Sequence, residues 1–185
     1  MRSQKLEKMG KTEAYKVPVD YSLDVYEAIE AGKYGKVDDE IVSEVLELDG
    51  PIGHIGNNAI KLTSEGYHLE GCHPKKHYRV RRVLIHLVHL GREATTLEVL
   101  SELSRRNLRP ATLRELLALG AAQPVLQREF YVVALGSGYW FSDDPDSFVG
   151  PVLTPLGVAV EHEFGKTRYN DGRWSSAYRF AAVRK

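Results

Sequence analysis

Cysteine is nearly absent from the sequence: Cys72 is the one instance in 185 residues. No intrachain disulfide can form, which separates the chain from small secreted scaffolds and fits a reducing compartment. No apolar run is long enough to span a bilayer, so no transmembrane helix and no membrane partner are expected. Net charge is absent as well, because 25 Lys and Arg balance 25 Asp and Glu. That excludes a globally basic nucleic-acid binder while leaving room for a local patch. There is no internal repeat and no low-complexity tract. The first residues, MRSQKLEKMGK, are charged with no apolar segment behind them, so no secretory signal is expected and the cytoplasm is the expected location. What remains is 43% hydrophobic and 27% charged. That is ordinary for one domain, or one domain with an appendage, able to bury a real core.

The sequence predicts a polar, disordered start over Met1 to Glu13 and a short strand over Ala14 to Val19. A helix is predicted over Ser22 to Tyr34, ended by Gly32 and Gly35. Val37 to Leu48 fits a helix or a strand. Gly50 to Gly66 reads as loop with a short strand at Ala59 to Leu62. Tyr78 to Leu90, YRVRRVLIHLVHL, carries apolar residues on both parities and predicts a strand covered on both faces. Two capping boxes follow. Thr95 and Glu98 open a helix over Leu97 to Arg106 with Leu97, Leu100 and Leu103 inward; Thr112 and Glu115 open another over Leu113 to Leu119 with Gly120 as its stop. Phe130 to Leu135 reads as a buried strand, Gly136 to Gly150 as a long loop, and Leu156 to Phe164 as a strand.

The final stretch, YNDGRWSSAYRFAAVRK from Tyr169 to Lys185, has two characters. Tyr169 to Ser176 mixes loop formers with adaptable contact residues, the composition of binding loops. Tyr178 to Val183 has aromatic and β-branched residues with no breaker and predicts a strand. A contact-rich loop feeding a terminal strand is a surface on a rigid base.

Three segments carry a resemblance: NLRPATLRELLAL (Asn107 to Leu119), FYVVALGSGYW (Phe130 to Trp140) and WSSAYRFAAVR (Trp174 to Arg184). They resemble, in this order, the RLPT-x-x-E helix entry, the strand leading to the loop region and the Arg-ended closing strand of the C-type-lectin-like fold, in its formylglycine-generating-enzyme-like branch. The match covers roughly the last 110 residues, a normal domain size. The chain also resembles the variable proteins of diversity-generating retroelements. In that class, adenine replacement turns an Asn codon into Tyr, His, Asp, Ser, Gly, Arg, Thr or Cys. His162, Tyr169, Asn170, Asp171, Gly172, Arg173, Ser175, Ser176 and Tyr178 are all reachable in this way, with Trp174, Phe180 and Val183 among them as scaffold. An ordinary polar loop favours the same residues. The enzymes of the branch use two cysteines and copper; this chain has only Cys72, upstream of the match, so activity does not carry over.

Other constellations are weaker. His68, Cys72, His73 and His77 have zinc-ligand chemistry, but Gly71 and Pro74 break any aligning helix, and exposed loop histidines are the plainer reading. His86 and His89 differ by an odd number and point to opposite faces of their strand. Asp143, Asp144 and Asp146 suit calcium, or a solvated turn around Pro145. Lys75, Lys76, Arg79, Arg81 and Arg82 form a basic run that alternation splits between faces.

The expected fold class is α+β: a disordered segment over 1–13, a small N-terminal α/β segment over 14–77 and a C-type-lectin-like domain over 78–185. The expected function is binding of an unknown protein ligand, with no catalytic residue, cofactor or metal. Tyr139, Trp140, His162, Tyr169, Asn170, Asp171, Arg173, Ser175, Ser176 and Tyr178 are expected on one exposed face, with Trp174 either on it or turned inward as a brace. The alternatives are a formylglycine-generating-like enzyme relic and a nucleic-acid-binding module using residues 75–82. The terminal strand is expected to pair with Tyr78 to Leu90, with both capped helices flanking the sheet and Leu87 and Phe180 buried.

Overall fold

A computed structural model of the chain describes residues 12–23, 25–37, 59–61, 80–137, 139–141, 148–155, 157–162 and 173–185. For 59–61, 127, 139–141, 148–149 and 159–162 it describes the backbone alone. In chain order the elements are β1 (Thr12–Asp20), α1 (Val25–Gly32), β2 (Ala59–Lys61), β3 (Val80–Val88), α2 (Thr96–Arg105), β4 (Leu108–Pro110) and α3 (Leu113–Ala122). Then come α4 (Leu126–Glu129), β5 (Tyr131–Val133), a 3-10 turn (Leu135–Ser137), β6 (Tyr139–Phe141), β7 (Phe148–Thr154), β8 (Gly157–His162) and β9 (Tyr178–Arg184). The strands form one mixed sheet in the order β1-β3-β9-β5-β7-β6-β2, with β4 beside β9 and β8 beside β7. The class is α+β. No helix among the described residues is long and apolar enough to cross a membrane.

β9 is central because its sequence is apolar on both parities. Ala181 and Val183 join the core cluster under α3, while Phe180 and Ala182 join the cluster under α2. The expected antiparallel pairing with β3 is present: His86 lies opposite Ala182, Leu87 opposite Ala181 and Val88 opposite Phe180. Leu87 and Phe180 are both buried. β5 runs parallel to β9, with Tyr131 opposite Tyr178. β1 pairs with β3 over its whole length, and Val17 and Val19 enter the same core as Ile85 and Leu87.

Both capping boxes form as the sequence predicts, each worth ~1 kcal/mol. The phase of α2 differs from expectation at Leu97, and α3 ends later than expected. In α2 the buried positions are Thr96, Val99, Leu100 and Leu103, and Leu97 is 65% exposed. A stripe counted from Thr96 at i, i+3, i+4 and i+7 leaves Leu97 outside it. Helix α3 runs past Gly120 to Ala122. Gly120 is there for contact, not termination, since a Cβ on it would lie 2.5 Å from the Tyr34 hydroxyl oxygen. At the start of α3, buried Glu115 accepts from both Nη atoms of Arg109 (3.0 and 2.7 Å), from the Tyr21 hydroxyl (2.7 Å) and from the Thr112 amide (2.8 Å). A buried carboxylate is tolerable only with such full pairing.

Several sequence boundaries are corrected. Thr12 and Glu13 belong to β1 rather than to a disordered start, and the first helix shrinks to Val25–Gly32. The strand expected to be covered on both faces is not: Val80 is 57% and Leu84 44% exposed. β9 reaches only residues 86–88 of β3, and α2 lies over β4, so one face of the first half of β3 stays open. The expected loop over Gly136 to Gly150 contains β6 and the start of β7, because Tyr139, Trp140 and Phe141 are strand formers. The strand at Phe130 to Leu135 shortens to β5, that at Leu156 to Phe164 becomes β8, and β4 and α4 had no counterpart in the sequence reading. Val37 to Leu48 lies outside the described residues except for Val37, which bridges Val158.

Leu87 at the β1–β3–β9 junction is 2% exposed. Leu87→Ala is expected to cost about 2–5 kcal/mol in urea unfolding, because the close-packed sheet cannot collapse onto the cavity. A loss below about 0.5 kcal/mol would contradict this packing.

Candidate binding surface

The chain enters its last strand through five residues, Arg173 to Ala177, of which Trp174 alone is buried. Trp174 is 1% exposed. Its backbone exchanges two hydrogen bonds with Ala94, the Ala94 amide donating to the Trp174 carbonyl (3.1 Å) and the Trp174 amide to the Ala94 carbonyl (2.9 Å). Its indole Nε1–H donates to the hydroxyl of Thr96, the first residue of α2, at 2.9 Å. The ring meets Tyr178 and Phe180 edge-on, at centroid distances of 5.2 and 6.2 Å. Trp174 is therefore the inward brace, one of the two roles its sequence position allowed.

Ser175, Ser176 and Ala177 follow as an exposed turn. The Tyr178 amide donates to the Ser175 carbonyl (3.2 Å) and the Ala177 amide to the Ser175 hydroxyl (3.3 Å). From below, His89 Nε2 donates to the Ser176 carbonyl (2.8 Å), and Arg179 Nη1 donates to the carbonyls of Ala177 (3.2 Å) and Tyr178 (3.4 Å). The Arg179 guanidinium lies 4.5 Å over the Phe130 ring. A small cavity of about 20 Å³, lined by Glu13, Leu87, His89, Phe130 and Arg179, opens beside it. The turn thus has its backbone carbonyls tied down while its serine side chains face outward.

On the other side, Arg173 Nη1 donates to Glu98 Oε2 (3.2 Å) and Arg92 Nη1 to Glu98 Oε1 (3.3 Å). Glu98 Oε2 also accepts the Thr95 amide at 2.9 Å. The Thr95 amide, and after it the two guanidinium groups, hold the Glu98 carboxyl below the usual carboxylate range.

Among the residues expected on one face, Ser175 and Ser176 are exposed and Arg173 is half-buried in its ion pair. Tyr178 is a correction: it is 7% exposed and packs on Trp174 and Tyr131. Two residues from Phe180, it shares that residue's inward side of the strand. Backbone register places Tyr139 and His162 on either side of Val149 in one row, and Trp140 opposite Phe148. Val149 is three positions from Val152, which pairs with Val133, on the side away from the Tyr131–Tyr178 pair. The register therefore makes two groups, Tyr139 with His162 and the 175–177 turn with Tyr131.

Tyr169, Asn170 and Asp171 lie outside the described residues, as do His68, Cys72, His73 and His77, the acidic residues 143, 144 and 146, and Lys75, Lys76 and Arg79. Among the described residues, no group of three His, Cys, Asp or Glu could hold a metal ion. Arg81 and Arg82 are exposed on β3. Sequence reasoning missed Tyr131, His89, Arg92 and Glu98 as neighbours of the turn. Tyr131 is the exposed first residue of β5, ahead of buried Val132 and Val133.

No protein-family model, no characterised protein and no solved structure matches the chain.

Trp174→Phe removes the indole donor to Thr96 and part of the ring that fills the α2 side of the sheet. It is expected to cost about 2 kcal/mol or more, and Ser176→Ala under about 0.5 kcal/mol. Thermal unfolding of the two variants checks this; equal losses would make the turn structural rather than displayed.

Proposed function

We propose that the chain is a binding protein, not an enzyme, which presents a diversified C-terminal surface to a protein ligand on a C-type-lectin-like scaffold. We read it as a target protein of a diversity-generating retroelement. The observation that carries this reading is the anchoring of Trp174. An indole buried and hydrogen-bonded to a helix start sits inside a stretch otherwise made of adaptable polar residues. A codon that adenine replacement leaves untouched supplies the fixed point, and codons open to it supply Arg173, Ser175 and Ser176 beside it.

The sheet supports the same division of labour. Phe180, Ala181, Ala182 and Val183 are buried on both faces of β9, so the strand tolerates little change. The turn before it holds its shape through its own backbone and through His89 and Arg179. The Ser175 hydroxyl adds one bond to the Ala177 amide, and side-chain identity at 176 is not needed for that shape. Tyr178, although its codon is open to the same replacement, belongs with the scaffold. Catalysis is left out because the cysteine pair of the resembling enzymes has no counterpart in a chain with one cysteine.

Sequencing the codons for residues 162–180 in many cells of one population, with the neighbouring genome, tests the proposal. The expected result is a reverse-transcriptase gene and a near-identical repeat beside this gene. Differences should fall on the repeat's adenines and spare Trp174 and Phe180. A uniform population with no such repeat, or changes spread over all four bases, would overturn it.

A further inference from the structure

Glu98 carries two guanidinium groups on one carboxylate. Arg92 takes Oε1 and Arg173 takes Oε2, each through Nη1 alone and at 3.3 and 3.2 Å. The same Oε2 already accepts the Thr95 amide that closes the capping box, so the acid is fixed by the helix start and not by its arginines. Within the Arg92–Glu98–Arg173 group itself, two positive charges meet one negative. Beyond Nη1, which Arg92 also uses toward the Glu93 carbonyl, neither arginine makes another hydrogen bond among the described residues. Each therefore keeps the Nε–Nη2 edge, the edge that grips a carboxylate through two parallel bonds. Both side chains are substantially exposed, Arg92 at 56% and Arg173 at 36%. Arg173 precedes buried Trp174, next to the exposed turn.

We infer that Arg92 and Arg173, splayed on Glu98, form a carboxylate clamp, and that the partner presents an acidic segment to it. Charge complementarity selects the occupant: a planar anion able to face two guanidinium edges, such as an Asp or Glu side chain. Glu98 sets the spacing of the two edges and lowers the cost of holding two cations near each other. The nearby exposed Glu93 touches the clamp only through its backbone carbonyl, which leaves the two edges open to a guest. The clamp has a fixed half, Arg92 with Glu98 on the helix side, and an exchangeable half, Arg173 in the diversified stretch. Preference for an acidic partner is then a property of this variant, and a sister carrying Ser or Asn at 173 would lose it. The inference rests on the displayed-face reading in taking the partner to be a protein and residue 173 to be exchangeable.

The test uses the full chain and a fluorescent oligoglutamate peptide, with oligoglutamine as the neutral control, followed by anisotropy at about 20 mM salt, where screening is weak. Arg92→Gln and Arg173→Gln are compared with Arg105→Gln, which removes the same charge from the far end of α2, where Arg105 pairs with Glu102. Binding of oligoglutamate alone is expected. It should weaken by about fivefold or more in each clamp variant and less than about twofold in Arg105→Gln. Circular dichroism confirms that each variant is folded. Failure of the parent to bind oligoglutamate, or equal loss in all three variants, would overturn the clamp. Tighter binding of a short oligothymidylate with the same arginine dependence would overturn it too, by assigning the clamp to nucleic acid. None of these outcomes touches the population sequencing, so the clamp can fail while the displayed-face reading stands.

Discussion

β9 has hydrogen-bonded neighbours along its length: β5 beside residues 178–180, β3 beside 180–182 and β4 beside 182–184. A strand so enclosed, with side chains buried on both faces, cannot shift register by one residue without turning its core residues inside out. That constraint fixes everything attached to its N-terminal end. Phe180 and Tyr178 sit where Trp174 must pack, and Trp174 sits where α2 begins. The position of the exposed turn is thus a consequence of core packing, which is what a displayed surface requires of its base.

The first turn of α2 has two functions. Thr95 and Glu98 cap the helix, while Thr96 and Glu98 receive Trp174 and Arg173. A cap residue is an economical anchor, because its side chain is already ordered by the helix and adds little further entropy cost when a second group binds. The same economy explains why Glu98 can hold two arginines at long distance: its geometry does not depend on them.

The sequence made the local devices legible. Both capping boxes depend on residues three apart, and both form as read. The pairing of β9 with β3 was legible because each segment is apolar on both parities over a short run. What escaped depended on contacts across the fold. Gly120 reads as a helix stop until Tyr34 packs on it. Leu97 reads as core until the helix phase is set by Thr96. The aromatic run Tyr139 to Phe141 reads as part of a long loop, and pairing with β2 and β7 makes it a strand. In the candidate surface, Ser175 and Ser176 lie outward as expected. Tyr178 does not, although its two-residue spacing from Phe180 already placed it inward. Arg92, Glu98 and His89 left no signal, since nothing local to them says that residues 173–176 will come to rest there.

The central claim is that a rigid anchor at Trp174 holds an exposed turn. Native-state hydrogen exchange measures both halves in one experiment. The account predicts that the Trp174 indole and backbone N–H groups exchange only in the slow, near-global openings that also expose the β9 amides, while the Ser176 amide, outside the strand ladders, exchanges by local fluctuation. Fast exchange at the Trp174 indole, or protection of Ser176 equal to that of β9, would contradict it.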